Sequence, residues 1–137
     1  MKLYGTDDRV EVKIDDITVY ISPLTVKQKM NIQPNLMAFR TKLDYAKLME
    51  ASCDALRFCV KDIKGITKNG QGFKLEFEGD ILSEKCIDDL MNLQCTGRLV
   101  ATCIAFVDNV PEKIIDPETK EELEGVTIVN PTEGKRE

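Results

Sequence analysis

Apolar residues alternate with polar ones over Val10, Val12 and Ile14, and again over Ile17, Val19 and Ile21. A period of two places alternate side chains on one face of a strand. With Asp15-Asp16 as a two-residue loop, Ile14 pairs with Ile17, Val12 with Val19 and Val10 with Ile21. All six apolar side chains then share one face, and a longer loop would scatter them. The pattern predicts an N-terminal β-hairpin. Ser22-Pro23-Leu24 ends it, because proline cannot donate to a sheet ladder. Thr25-Val26-Lys27-Gln28 then has the form of a capping box, with threonine at the N-cap and glutamine three residues later.

Pro34 is expected to kink or divide the helix that follows, since it removes a helical hydrogen bond. Helical spacing returns from Thr41 to Lys64. Tyr45, Met49, Ser52, Leu56, Cys59 and Ile63 form one stripe, widened by Ala46, Cys53, Ala55 and Val60, with Gly65 placed as a C-cap. The small residues of this stretch would let another helix approach closely. In ITKNGQGFKLEFEGD, Asn69-Gly70 is a strong hairpin turn because both residues tolerate positive φ. It sets Ile66 opposite Phe73 and predicts that Phe73, Leu75 and Phe77 share a face. A long amphipathic helix is predicted from about Ser83 to the region of Asp108. Ser83 caps it and Leu82 staples onto Ile87. Its stripe runs through Cys86, Leu90, Leu93, Gly97, Val100, Ile104 and Val107, widened by Ile87, Met91, Cys95, Leu99 and Cys103, with Gly97 permitting a close crossing or marking a bend. Beyond Asn109, Ile114-Ile115 and Val126 to Val129 are compatible with short strands flanking the turn Asp116-Pro117-Glu118-Thr119. They are equally compatible with a segment that orders only on a partner.

The expected fold class is therefore α+β: an N-terminal β-hairpin, helices, a second β-hairpin, a long amphipathic helix and an acidic C-terminal extension. At 137 residues the chain is expected to form one domain over residues 1–108, with 109–137 as a partly disordered extension. No apolar run approaches the roughly 20 residues needed to cross a bilayer. The opening MKLYGTDDRV lacks the apolar stretch of a signal peptide, so a cytoplasmic location is expected.

Charge adds one feature. The net charge is −5, and nine of the 24 acidic residues lie from Asp108 onward against four of the 19 basic ones. An acidic end repels phosphate backbones, so nucleic acid is not an expected partner.

Candidate chemistry is sparse. The chain has no histidine, which leaves a serine or cysteine nucleophile without its usual base. It contains no GxGxxG, GxxxxGK[ST] or GxSxG pattern. Cys53, Cys59, Cys86, Cys95 and Cys103 include no CxxC pair and are read as small apolar core residues, not as zinc ligands. Asp7-Asp8, Asp15-Asp16 and Asp88-Asp89 are read as turn and helix-start residues. Neighbours on a helix do not face each other, so Asp88 and Asp89 make a poor acid/base pair. No catalytic residue, cofactor or metal site is expected. Apolar positions embedded in the acidic extension, Ile114, Ile115, Val126 and Ile128, are the expected partner-binding residues. Deleting residues 109–137 should then leave folding intact and weaken partner binding.

The stretch VEVKIDDITVYISPLTVKQKMNIQ resembles the opening of tail assembly chaperones of tailed bacteriophages, where a hairpin leads through P-L-T into a helix beginning with glutamine or glutamate. A looser likeness follows in ALRFCVKDIKGI and LSEKCIDDLMNL. The resemblance covers most of residues 10 to 107 and extends to small baseplate-hub and baseplate-assembly proteins. It implies a non-enzymatic protein that coats the tape-measure protein, keeps its apolar helices soluble and recruits tail-tube subunits. It further implies a location in the cytoplasm of the bacterial host, with a structural tail or baseplate component of the virion as the alternative. Many such chaperones also have a frameshifted longer form, for which Gly134-Lys135-Arg136 is the place to look in the nucleotides. A homo-oligomer is compatible with the exposed hairpin edges, and a monomer equally so.

Overall fold

A computed structural model describes residues 4–108, 110–116 and 119–129. Its α+β architecture is a four-stranded antiparallel sheet and a helical layer around one apolar core. Strands β1 (Val10–Ile14) and β2 (Ile17–Ile21) form the expected hairpin in the expected register. All six apolar residues of its inner face are buried. Asp15 supplies the turn with a φ of 54°.

The helix α1 (Val26–Lys42) starts at the predicted capping box. The Thr25 hydroxyl accepts the Gln28 N–H at 3.2 Å, and the Gln28 side chain accepts the Thr25 N–H at 2.9 Å. Pro34 does not divide α1; it sits exposed within the helix. The chain turns at Leu43, in the left-handed region, and restarts at Asp44, whose carboxylate accepts the Lys47 N–H.

The helix α2 (Tyr45–Cys59) ends five residues before the predicted Lys64. Val60–Lys64 is a strand, β3, antiparallel to β2. Here the sheet overrides helical periodicity: β2 has outward backbone groups that must be paired, and the β-branched Val60 and Ile63 suit a strand that buries both. Gly65 is accordingly not a helix cap. Its φ is 95°, and a Cβ there would lie 2.7 Å from the Asp16 carbonyl oxygen. Only glycine lets the end of β3 pass so close to the β1–β2 turn.

Strands β4 (Thr67–Lys68) and β5 (Gln71–Gly72) form the Asn69-Gly70 hairpin, and the Phe73 N–H donates to Ile66 O as the predicted pairing requires. The strand does not continue to Phe77. That residue is exposed and begins another small hairpin, β6 (Phe77–Glu78) with β7 (Ile81–Leu82), turning at Gly79.

The predicted single helix from Ser83 is two: α3 (Glu84–Met91), capped by the Ser83 hydroxyl, and α4 (Thr96–Ala105). The break falls at Asn92, whose side-chain amide donates to Asp88 O at 3.1 Å. Asparagine side chains compete in this way with the helical ladder. Beyond the break the predicted apolar stripe is kept in part, with Ile104 and Val107 buried as expected. Leu99, Cys103 and Phe106 are buried, whereas Gly97 is exposed and Val100 half-buried. No atom lies within 4 Å of a Cβ built on Gly97, so it marks no close crossing.

At the end of the chain the structure takes the first of the two readings that the sequence allows. Val126–Val129 is a strand, β8, paired antiparallel with β1, and the sheet order is β3-β2-β1-β8. Ile114 is buried in the core, the Leu123 N–H donates to Ile114 O, and Ile115 bridges Glu122. Over its described length the segment beyond Asp108 is therefore part of the fold. An acidic composition did not prevent this, because its few apolar residues are the ones that pack. Residues 130–137, which include the Gly134-Lys135-Arg136 stretch, lie outside the described residues.

Candidate functional site

The apolar surface that the fold leaves uncovered lies mainly on the helices. Along α1, Ile32, Leu36 and Phe39 face the core. On another stripe of the same helix Val26, Met30 and Met37 are between 56% and 72% exposed. Spacings of four and seven residues put these three in one row. At the corner into α2, Leu43 and Tyr45 are exposed, and Met49 follows on the next turn. Tyr45 is held by an edge-to-face contact with Phe39, ring centroids 5.2 Å apart.

Tyr45 and Met49 also line the rim of a groove of about 500 Å³ between α2 and α4. Leu48, Met91, Val100 and Leu123 contribute further apolar wall, and the bare backbone of Gly97 leaves the mouth open. Methionine is unbranched and polarisable, so surfaces rich in it adapt to different partner shapes. The groove is fixed in position by Arg98 of α4. Its guanidinium spans both carboxylate oxygens of Asp15 in the β1–β2 turn, at 2.9 and 2.7 Å. Gly125, with a φ of 78°, packs against this pair; a Cβ there would lie 2.7 Å from Arg98 Nη1. Thus one ion pair ties the helical layer, the hairpin turn and the entry to β8 together.

The cysteines lie in the core or at its margin. Cys59, Cys86 and Cys103 are buried, and Cys53 and Cys95 are half-buried. Burial pushes the Cys59 thiol up to about 12 and raises Cys103 well above its ordinary value, while Cys53 and Cys95 are also raised by desolvation. A thiol held protonated in this way is a poor nucleophile. Burial raises Asp54 against the opposing pull of its neighbour Arg57, with which it forms an ion pair on α2. Among the described residues no cluster of three or more potential metal ligands occurs, and no helix is long and apolar enough to cross a membrane.

The four residues expected to bind a partner are dispersed. Ile114 is buried, and Val126 and Ile128 are half-buried in β8 against the core. Ile115 is 41% exposed and stands apart from the α1 row by its place in the fold. Sequence reasoning missed Val26, Met30 and Met37, although their signal was present. The helix after Thr25 carries two apolar rows, and a single core-facing layer covers only one.

Comparison of the chain with models of known protein families, with curated proteins and with solved structures finds no match.

Proposed function

We propose that this protein is a non-enzymatic assembly chaperone of a tailed bacteriophage. In this reading it covers apolar helical stretches of the tape-measure protein and brings tail-tube subunits to it, in the cytoplasm of the bacterial host. The observation that carries the reading is the exposed row Val26, Met30 and Met37, together with the methionine-rimmed groove between α2 and α4. Contiguous exposed apolar surface marks interaction sites, and an amphipathic helix laid into an apolar groove is a recurrent way of holding another polypeptide. The hairpin, P-L-T corner and capped helix that carry the resemblance to tail assembly chaperones support the same role.

Co-expression with the tape-measure protein of the same phage tests it. The chaperone should co-purify with the tape-measure protein and raise its soluble yield. The double variant Met30→Lys, Met37→Lys should abolish both effects while melting like the parent. Unchanged co-purification by that variant would remove the assigned surface. Recovery of the protein in stoichiometric amount from purified virions would replace the chaperone reading by that of a tail or baseplate component.

A further inference from the structure

The sheet has two edges, and they are built differently. β3 carries Lys61, Asp62 and Lys64 in five residues. Charges on an edge strand discourage pairing with another chain. The Ser22 N–H donates to Cys59 O. With the Thr18–Lys64 and Tyr20–Asp62 pairs, the alternation turns the backbone groups of Ile63 outward. The outward Ile63 N–H is then taken by the Asp62 carboxylate at 2.8 Å. The donor of this edge is thus occupied by its own side chain.

The β8 edge has neither device. Its sequence, Val-Thr-Ile-Val, is uncharged and entirely β-branched, and no described strand covers its outer side. The Asp15 N–H donates to Gly125 O at 3.0 Å. Alternation by two then assigns Thr127 and Val129 to the ladder with β1. The N–H and C=O groups of Val126 and Ile128 consequently point to the free edge.

We propose that this edge pairs with β8 of a second copy of the chain, antiparallel about a two-fold axis through Thr127. The register follows from the free groups. Val126 of each copy exchanges N–H···O bonds with Ile128 of the other, making four bonds. The two Thr127 residues then form the closely spaced, non-hydrogen-bonded pair on the exposed face. Val126 and Ile128, which lean on the core, continue one apolar face across both copies, and within the strand no charge meets a like charge. Self-pairing of one edge closes as a dimer, whereas β8 against β3 would be head-to-tail and would propagate. A four-residue pairing falls short of the roughly 1,200 Å² of a stable interface, so the dimer is weak and concentration-dependent. The pairing involves none of the residues assigned to client binding, so the two can fail separately.

Sedimentation of the full chain over a concentration series tests the proposal. The parent should show a reversible monomer–dimer equilibrium. Thr127→Glu opposes two like charges across the axis while facing Lys13 of its own sheet, and should raise the dissociation constant about fivefold without lowering the melting temperature. Mixing Thr127→Lys with Thr127→Glu should restore association as a heterodimer. Thr127→Cys, mildly oxidised, should give a covalent dimer under conditions in which the parent gives none. A parent monomeric at every concentration would overturn the proposal. So would a Thr127→Cys variant no more readily cross-linked than the parent, as expected if the edge is filled by another segment of the chain or by a different protein.

Discussion

The β1–β2 hairpin and α1 are neighbours in sequence and similarly supplied with apolar residues, yet they treat them differently. The hairpin buries every inward residue from Val10 to Ile21. Helix α1 buries Ile32, Leu36 and Phe39 and leaves Val26, Met30 and Met37 in solvent. The cause is geometric. A strand has two faces, and one of them lies wholly against the helical layer; a helix presents a full circle, of which its neighbours cover only part. Periodicity says which residues share a face. Which face is covered depends on how many layers the rest of the chain provides.

A charge placed at equivalent points of the two regions should break this comparison open. Val12→Asp puts an unpaired carboxylate at the centre of the sheet, between β2 and β8. It should cost more than about 4 kcal/mol and abolish the cooperative melting transition followed by circular dichroism. Met30→Asp, on the uncovered row of α1, should change stability by less than about 0.5 kcal/mol. Comparable losses in the two variants would mean that the α1 row is covered in solution by the protein itself.

Removing β8 is the next largest change. Truncation after Gly125 withdraws the half-buried Val126 and Ile128 and uncovers one side of β1. Counting about 1 kcal/mol for each lost apolar side chain, the truncated chain should be destabilised by about 2 kcal/mol. Urea unfolding measures this, and an unchanged midpoint would restore the view of the C-terminal segment as an appendage.

These two regions also show what was legible in the sequence. The hairpin register could be read because the apolar period, the loop length and the burial requirement all demanded the same pairing. The capping box and the Asn69-Gly70 turn were similarly over-determined. Val60–Lys64 was not: its spacing fits a helix that continues α2, and only the need of β2 for a partner on its outer side makes it a strand. The break at Asn92 was hidden for a related reason, since a four-three spacing persists across it although the helix does not. β8 was legible as one of two readings, because acidic neighbours that dominate the composition fit a segment ordering on a partner equally well. The exposed row on α1 was visible as residues and illegible as surface, because exposure is a property of the assembled layers.

The corner between the two regions gives a smaller effect. Thr25→Ala removes the hydroxyl that accepts the Gln28 N–H at the start of α1. It should lower stability by about 1 kcal/mol, the usual value of an N-cap side chain. Thr25→Asp, which keeps an acceptor, should recover most of it. No loss in either variant would show that Pro23 and the hairpin hold the helix start without the cap.

The smallest effect on stability should accompany the largest effect on recognition. Met30→Ser with Met37→Ser removes two exposed thioethers that touch little within the fold. Urea unfolding should shift by less than about 0.5 kcal/mol. If the row is a binding surface, however, affinity for an apolar helical client should fall at least tenfold, because each methionine would be buried in the complex and each is worth more than 1 kcal/mol there. The two measurements together separate the meanings of an exposed apolar residue. Neutral folding with impaired binding identifies a surface kept open for a partner. Neutral folding with unimpaired binding identifies a tolerated excess, and the search for the client site then moves to the groove between α2 and α4, where Leu48→Ser and Val100→Ser are the next substitutions to make.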